Sequence, residues 1–353
     1  MPFISAIILK LIDLTKKYGN HKAVSNINLE IQENEIIGLI GPNGAGKTTV
    51  IKMIASITRP SSGRILLRNR SGNLQNIFKR TGNLIPQGFM IDIPSFYKLT
   101  PYQILKYYAK VNHFPKKNIE RRIDELLQRF NLFEWKYTNT KKFSKGMLQK
   151  LGLIQAVIHD PEIIFLDEPQ TGIDPKARID IRHFIRELQT QYKTIFVASH
   201  LLHEISELCD RIALIDHGEI VGFDTIDNLE RELEISELIC KLLYPIPKNQ
   251  INKVLEKLNK ITKPYLESSM KSNAFHNLIQ YDSNKQMLKI RYNGEEKTRS
   301  DILDILVTKF KSDFTLSSFS QSKTSQLEHL YTELIGKKDS KDNKTEEENE
   351  KNA

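Results

Sequence analysis

A chain of 353 residues, 39% hydrophobic and 27% charged, has enough apolar surface for two domains and a full-sized core, which excludes bulk disorder. The formal charge of +9 suits nucleic acid or an anionic membrane surface, and charge alone does not choose between them. Cys209 and Cys240 lack metal-ligand spacing and read as reduced thiols of a cytosolic protein, and no apolar run approaches the length needed to span a bilayer.

The apolar start Phe3–Leu9 has no basic segment before it and breaks at Lys10, so it reads as a first strand, not a targeting segment. From Ile7 to Ile31 the alternation fits antiparallel strands. Tyr18 falls just before Gly19; it can stack on an adenine face or be a half-buried strand-end tyrosine. Ile36–Ile40 is a short apolar run of the kind that makes a buried parallel strand. It leads into Gly41-Pro42-Asn43-Gly44-Ala45-Gly46-Lys47-Thr48-Thr49, which fits the phosphate-loop pattern G-x-x-x-x-G-K-[ST]. Val50, Met53, Ile54 and Ile57 then recur on one helical face. Strand, glycine-rich loop and helix are the context this motif needs. The glycines let successive N–H groups turn inward on an anion, and the helix N-terminus adds positive charge. Lys47 is expected to reach the β- and γ-phosphates of a nucleotide, and the Thr48 hydroxyl to reach Mg²⁺.

Gly63–Leu67 reads as another strand and Arg68–Asn76 as a polar loop. Leu84-Ile85-Pro86 reads as a strand end leading into Gln87, which can coordinate Mg²⁺, orient a water, or simply be solvated. From Pro94 to Thr138 the pattern is helical, with Ile104, Tyr107, Tyr108 and Val111 on one face and Ile123, Leu126, Leu127 and Phe130 on another. Ser144 occupies an N-cap position before Lys145-Gly146-Met147, with Leu151, Ile154 and Ile158 along the helix that follows. That is an ordinary capped helix or a second seat for an anion. Ile163–Leu166 is a buried strand ending in Asp167 and Glu168. Two acids at a carboxyl strand end can divide the work, one holding a metal and the next polarising water. Thr171–Pro175, with Asp174, is a turn, Ala177–Leu188 a helix, and Thr194–Ala198 a strand ending in Ser199-His200. A histidine there can donate to a γ-phosphate or be an unremarkable surface residue. Ile212–Phe223 closes with a hairpin.

Past Asp224 the composition shifts. Ile226–Leu243 reads as an amphipathic helix, Ile251–Leu258 as another, Met287–Tyr292 as a strand, Ile302–Phe310 as a helix and Asp313–Phe319 as a strand. Ser325-x-x-Glu328 is a capping box opening a last helix through Ile335. Residues 226–336 are therefore expected to form a small α+β domain, and 337–353 a disordered charged tail.

Together these motifs resemble the nucleotide-binding subunit of an ATP-binding-cassette transporter, over about Ile7 to Phe223. The resemblance implies an α/β fold: a P-loop NTPase core of mostly parallel sheet with helices on both faces, an antiparallel β subdomain, and a helical subdomain at about 94–160, all within 1–225. It implies adenine stacking by Tyr18, phosphate binding by Gly41 to Thr49, and Mg²⁺ binding by Thr48, Gln87 and Asp167. Glu168 is implied as general base and His200 as the switch histidine, with Lys47 and Gln87 also in the catalytic set. Ser144 and Gly146 match the family signature, which here reads F-S-K-G-M in place of L-S-G-G-Q, and Asp174 matches the D-loop. This form is similar to the branch that serves export-type permeases; Leu327 to Gly336 is similar to the end of that branch's accessory domain.

Family membership would imply a homodimer, or a pairing with a second cassette, that sandwiches two ATP molecules head to tail. It would also imply an integral-membrane permease as partner, placement at the cytoplasmic face of the membrane, and no nucleic acid. The alternative is a soluble cassette ATPase acting on ribosomes or nucleic acid. Such chains carry tandem cassettes or a long coiled-coil insertion, and neither is present here. A regulatory subunit with little hydrolysis is a third reading, which Glu168 and His200 argue against.

Overall fold

The computed structural model describes residues 6–79, 83–91, 98–232, 236–247, 249–267, 279–283, 285–292, 295–311 and 313–322. The expected capping box at Ser325, the last helix and the charged tail lie outside the described residues, as do most of the stretch before Ile7 and residues 92–97. The chain divides into two compact units, Met1–Asp224 and Thr225–Ala353.

In the first unit, β1 (Ile7–Tyr18) and β2 (His21–Gln32) make a long antiparallel hairpin. The all-buried strand β3 (Ile36–Ile40) runs through the phosphate loop into α1 (Lys47–Ile54). The strand β4 (Ser62–Arg68) pairs with β1 and carries β5 (Leu74–Asn76), so the expected polar loop includes a short edge strand. Then come β6 (Gln87–Met90), α2 (Pro101–Val111), α3 (Ile119–Arg129), α4 (Lys145–Val157), β7 (Ile163–Asp167), α5 (Pro175–Thr190), β8 (Thr194–Ser199), α6 (Leu202–Ser206), β9 (Arg211–Asp216) and β10 (Glu219–Thr225).

The central sheet has the order β10-β9-β3-β8-β7-β6, with β9, β3, β8, β7 and β6 parallel in register. Every residue of β3, β7 and β8 is buried, as a sheet covered on both faces requires. The four-stranded antiparallel sheet β2-β1-β4-β5 shares its core with this sheet: Leu9, Leu14, Ile27 and Ile65 belong to one cluster with Val50, Ile54, Phe165 and Phe196. Burying a large apolar side chain contributes roughly 1.5–3 kcal/mol, so this cluster fixes the strand ends that carry the polar residues.

One expectation is corrected here. The reading of a strand before Gln87 fails, because the strand begins at Gln87 itself. Pro86 has no N–H to give to a ladder, and Leu84 makes only an isolated bridge to Asn69. Gly88 lies against α4 so closely that a Cβ there would sit 2.1 Å from the Ala156 carbonyl.

In the second unit, α7 (Ile226–Glu232) precedes β11 (Ser236–Leu242), α8 (Ile251–Glu267), β12 (Ile279–Asp282), β13 (Met287–Tyr292), α9 (Glu296–Lys309) and β14 (Leu316–Ser322). All strand pairings are antiparallel, in the order β12-β13-β11-β14. Omitting α7, this is the split βαβ pattern β-α-β-β-α-β. Leu238, Cys240 and Leu242 of β11 face a core with Val254, Leu258, Ile302, Leu306 and Phe310. The single long helix expected over Ile226–Leu243 is therefore wrong past Glu232. The period-two set Leu238, Cys240 and Leu242 is buried at once by pairing β11 between β13 and β14.

Candidate active site

The phosphate loop leaves β3 at Gly41, where a Cβ would lie 2.3 Å from the Ile215 carbonyl, so the backbone passes too near β9 for any other residue. Gly46 sits at φ +106° against the Ala23 carbonyl and starts α1. The turn after β9 has both central residues, His217 and Gly218, at positive φ, the geometry of a type I′ hairpin turn. Its Gly218 N–H donates to the Ala45 carbonyl at 3.0 Å and holds the loop from outside. Pro42, Asn43 and Gly44 are left half-buried or exposed at the open side, with Thr48 and Thr49 half-buried in the first turn of α1.

Lys47 is buried, and its Nζ donates to the Gly41 and Pro42 carbonyls at 2.8 and 2.9 Å. Burial holds its pKa below the usual lysine range, opposed by the charges of Glu168 and Asp167. Its Nζ stands 3.8 Å from Glu168 Oε1. Asp167 closes β7 and is 7% exposed.

Glu168, the next residue, turns out of the strand with φ +49°, a conformation that costs a non-glycine residue of order 1–3 kcal/mol. Its N–H is held by the Ala198 carbonyl at 2.9 Å. Its carbonyl accepts from Gln149 Nε2 at 2.8 Å. The carboxylate accepts from Thr171 Oγ1 at 2.6 Å, from Ser199 Oγ at 3.5 Å and from His200 Nδ1 at 2.9 Å. A carboxylate only accepts, so Nδ1 of His200 carries a proton and Nε2 is turned away from Glu168. Thr171, Ser199 and Gln149 are site residues that the sequence reading did not assign. Ser199 adjoined a named residue, but nothing local to Thr171 or Gln149 pointed to Glu168.

Tyr18 ends β1 half-exposed, with Lys16 Nζ 5.0 Å above its ring, and its hairpin continues through Ala23, the residue that touches Gly46.

A second group gathers at the N-terminus of α4. Ser144 N-caps α4, its Oγ accepting from the Met147 N–H at 3.2 Å. A Cβ on Gly146 would lie 3.6 Å from Asp174 Oδ2. Asp174 caps α5 by accepting from the Ala177 N–H at 2.9 Å, and that bond leads in holding its carboxyl below the usual range. Lys145 lies across Gly172. Among the described residues, no hydrogen bond or ion pair joins Ser144 or Gly146 to Gly41–Thr49.

Gln87 belongs to neither group, which corrects the expected metal site. In the parallel register it faces Ile163, the first residue of β7, whereas Asp167 is the last. Four residues of strand separate those levels, ~13 Å. Gln87 instead lines a cavity of about 370 Å³ with Ile57, Phe89, Tyr108, Gln155 and His159. The His159 Nε2–H donates to the Gln87 carbonyl at 3.0 Å, and burial lowers the His159 pKa, so the ring is a neutral donor.

Among the described residues, no helix is long and apolar enough to cross a membrane, and no group of three or more His, Cys, Asp or Glu could hold a metal ion.

A family model described as ABC transporter matches residues 24–171. The bacitracin transport ATP-binding protein BcrA of Bacillus licheniformis is 37% identical over 228 residues, which is 64% of this chain and 72% of that protein. The ABC transporter ATP-binding protein NatA of Bacillus subtilis (strain 168) is 33% identical over 228 residues, covering 63% of this chain and 91% of that one. Among solved structures, an ATP-binding subunit of an ABC transporter aligns with a TM-score of 0.58 at 26% identity, over 64% of this chain and 92% of that chain.

Proposed function

We propose a working cycle for this chain, which belongs to the ATP-binding subunits of ABC transporters. It binds ATP and hydrolyses it to ADP and phosphate, and the energy drives transport through a separate membrane-spanning component. The observation that carries the cycle is the convergence on Glu168: Lys47 at 3.8 Å and His200 at 2.9 Å, at the mouth of the phosphate loop. A general base must lie within hydrogen-bonding reach of the proton it takes, and must be aimed by its neighbours. Thr171, Ser199 and His200 aim this one.

In this reading Lys47 and the loop N–H groups hold the β- and γ-phosphates, and Tyr18 stacks on the adenine. Glu168 orients and deprotonates the attacking water. His200, anchored through Nδ1, directs Nε2 at the phosphoryl group and stabilises charge there when that nitrogen is protonated. Thr48 and Asp167 supply a hydroxyl and a carboxylate, the oxygen donors that suit Mg²⁺. A cation that takes one or two protein ligands, and the rest from phosphate and water, needs no larger cluster. Bound there, Mg²⁺ neutralises charge on the phosphates.

Among the described residues Ser144 and Gly146 make no hydrogen bond with Gly41–Thr49, and in this reading the α4 N-terminus of a mate closes the open side of the loop in a head-to-tail pair. The mate is a second copy or another cassette. In this reading the permease's docking segment seats in the cavity beside Gln87 and α2, with the subunit at the cytoplasmic face of the membrane. The direction we propose is export, supported by the likeness to a bacitracin transport protein and by the F-S-K-G-M form of the signature.

The test is capture of the tagged chain from detergent-solubilised membranes, followed by a steady-state phosphate assay. A polytopic membrane protein should come down with the chain and raise its ATP hydrolysis. Recovery of ribosomes or RNA in place of a membrane protein would overturn the transporter role.

A further inference from the structure

The positive charge of this chain is concentrated in one place. Between Lys98 and Lys150 there are 13 lysines and arginines and 4 acids, which accounts for the whole +9; outside that stretch 39 basic and 39 acidic residues cancel. Ten of the thirteen are lysines. The same stretch exposes large aromatic side chains: Tyr107 is 62% exposed, Tyr137 69% and Trp135 40%.

Contacts join Tyr102, Lys106, Glu120, Lys136 and Tyr137 into one cluster, and Lys110, Lys116 and Lys117 flank it along α2 and the approach to α3. Lys106 and Lys110 are one turn apart on α2, and Lys106 Nζ lies 4.7 Å over the Tyr102 ring and 3.2 Å from Glu120 in the first turn of α3. Lys116 and Lys117 directly precede α3 and are exposed. The Tyr102 ring is 5.4 Å from that of Tyr137, and the buried Lys136 lies over both. Among the described residues, Lys110, Lys116 and Lys117 have no ion-pair partner.

We propose that this face of residues 98–150 lies directly on anionic lipid headgroups, so that the subunit contacts the bilayer itself as well as its permease. The proposal rests on the transporter reading for the presence of a bilayer. Its chemistry rests on the face alone. Lysines are compact, hydrated point charges on long stems that suit a diffuse anionic surface, whereas planar arginine forks suit bidentate recognition of nucleic acid. Tyrosine and tryptophan seat an apolar body and a wet tip at the level of the headgroups. A basic residue near an anionic leaflet contributes enough that a few of them give measurable, salt-sensitive binding.

The experiment floats the full chain, without permease, on vesicles of phosphatidylcholine alone or with phosphatidylglycerol. Binding should need the anionic lipid and fall with added salt. Combining Lys110→Glu, Lys116→Glu and Lys117→Glu should weaken it by about a hundredfold, from the contribution expected per basic residue. The matched triple Lys253→Glu, Lys309→Glu and Lys311→Glu, equal in charge but on exposed positions of the second unit, should leave it nearly unchanged. Equal loss in both triples, or equal binding to neutral vesicles, overturns the proposal. So does binding to single-stranded RNA that the first triple abolishes while the vesicles stay unbound. Phosphate release, assayed on the same preparations, should be unaffected by the first triple. If the wild-type chain released none, the transporter reading would fail while the vesicle result stood.

Discussion

Glu168→Gln is expected to bind ATP as the wild type does and to lower turnover by about 10²- to 10⁴-fold, the range contributed by a positioned general base. The substitution keeps the shape of the side chain. An amide oxygen still accepts from Thr171 Oγ1, and the backbone anchors to Ala198 and Gln149 do not involve the side chain. What disappears is the group able to take a proton. Closure around ATP would continue and release by hydrolysis would stall, so an ATP-bound dimer should accumulate on size exclusion. Normal phosphate release by this variant would remove Glu168 from the role of base.

Lys47→Ala should fail one step earlier. Its ammonium is the buried cation at the loop, and burial lowers its pKa, so the protein bears a cost to keep a charge there. Removing a buried charge-paired partner costs roughly 2–5 kcal/mol of binding, or about 30- to 4,000-fold in ATP affinity. The protein alone should not melt much earlier, because the Gly41 and Pro42 carbonyls and the half-buried Glu168 carboxylate that the alanine leaves behind can be solvated at the open side of the loop. The clear readout is linkage: ATP raises the melting temperature of a protein that binds it in the native state. Wild type and Glu168→Gln should show that rise, and Lys47→Ala should not. A full ATP-induced shift in Lys47→Ala would place phosphate recognition elsewhere.

The parts of this site legible in the chain are those whose geometry is local. The phosphate loop needs only nine consecutive residues and a strand and helix around them; both are present, though α1 ends at Ile54 and leaves Ile57, expected on its buried face, exposed beyond it. Ser144 could be read as a helix cap because a cap is a property of three or four neighbours, whereas Asp174, read as part of a turn, turns out to cap α5. The convergence on Glu168 is of another kind. Ser199 and His200 reach it because β7 and β8 lie side by side in one parallel register, and no short window of sequence contains that register; Thr171 reaches it across the turn that follows β7.

Gln87 shows the cost of reasoning from a tripeptide. Leu84-Ile85-Pro86 looked like the end of a strand, but a proline cannot complete the ladder, and the strand starts one residue later. That shift moves Gln87 from the carboxyl end of the sheet to the opposite end of β6. The β11 segment failed differently: its apolar residues satisfy both helical and alternating spacing, and only the neighbouring strands β13 and β14 decide between them.

The central claim is that each ATP is held between the phosphate loop of one molecule and the α4 N-terminus of its mate. It is tested most directly by mixing two single-cysteine versions of Glu168→Gln, one carrying Asn43→Cys and the other Ser144→Cys, and adding a short thiol crosslinker. Both sites are exposed, and the native Cys209 and Cys240 are buried, with their thiol pKa values pushed up by burial, so they should stay silent. The prediction is a crosslinked dimer that appears only in the mixture and only with ATP. No ATP-dependent dimer, or one formed equally well by either version alone, would contradict the account.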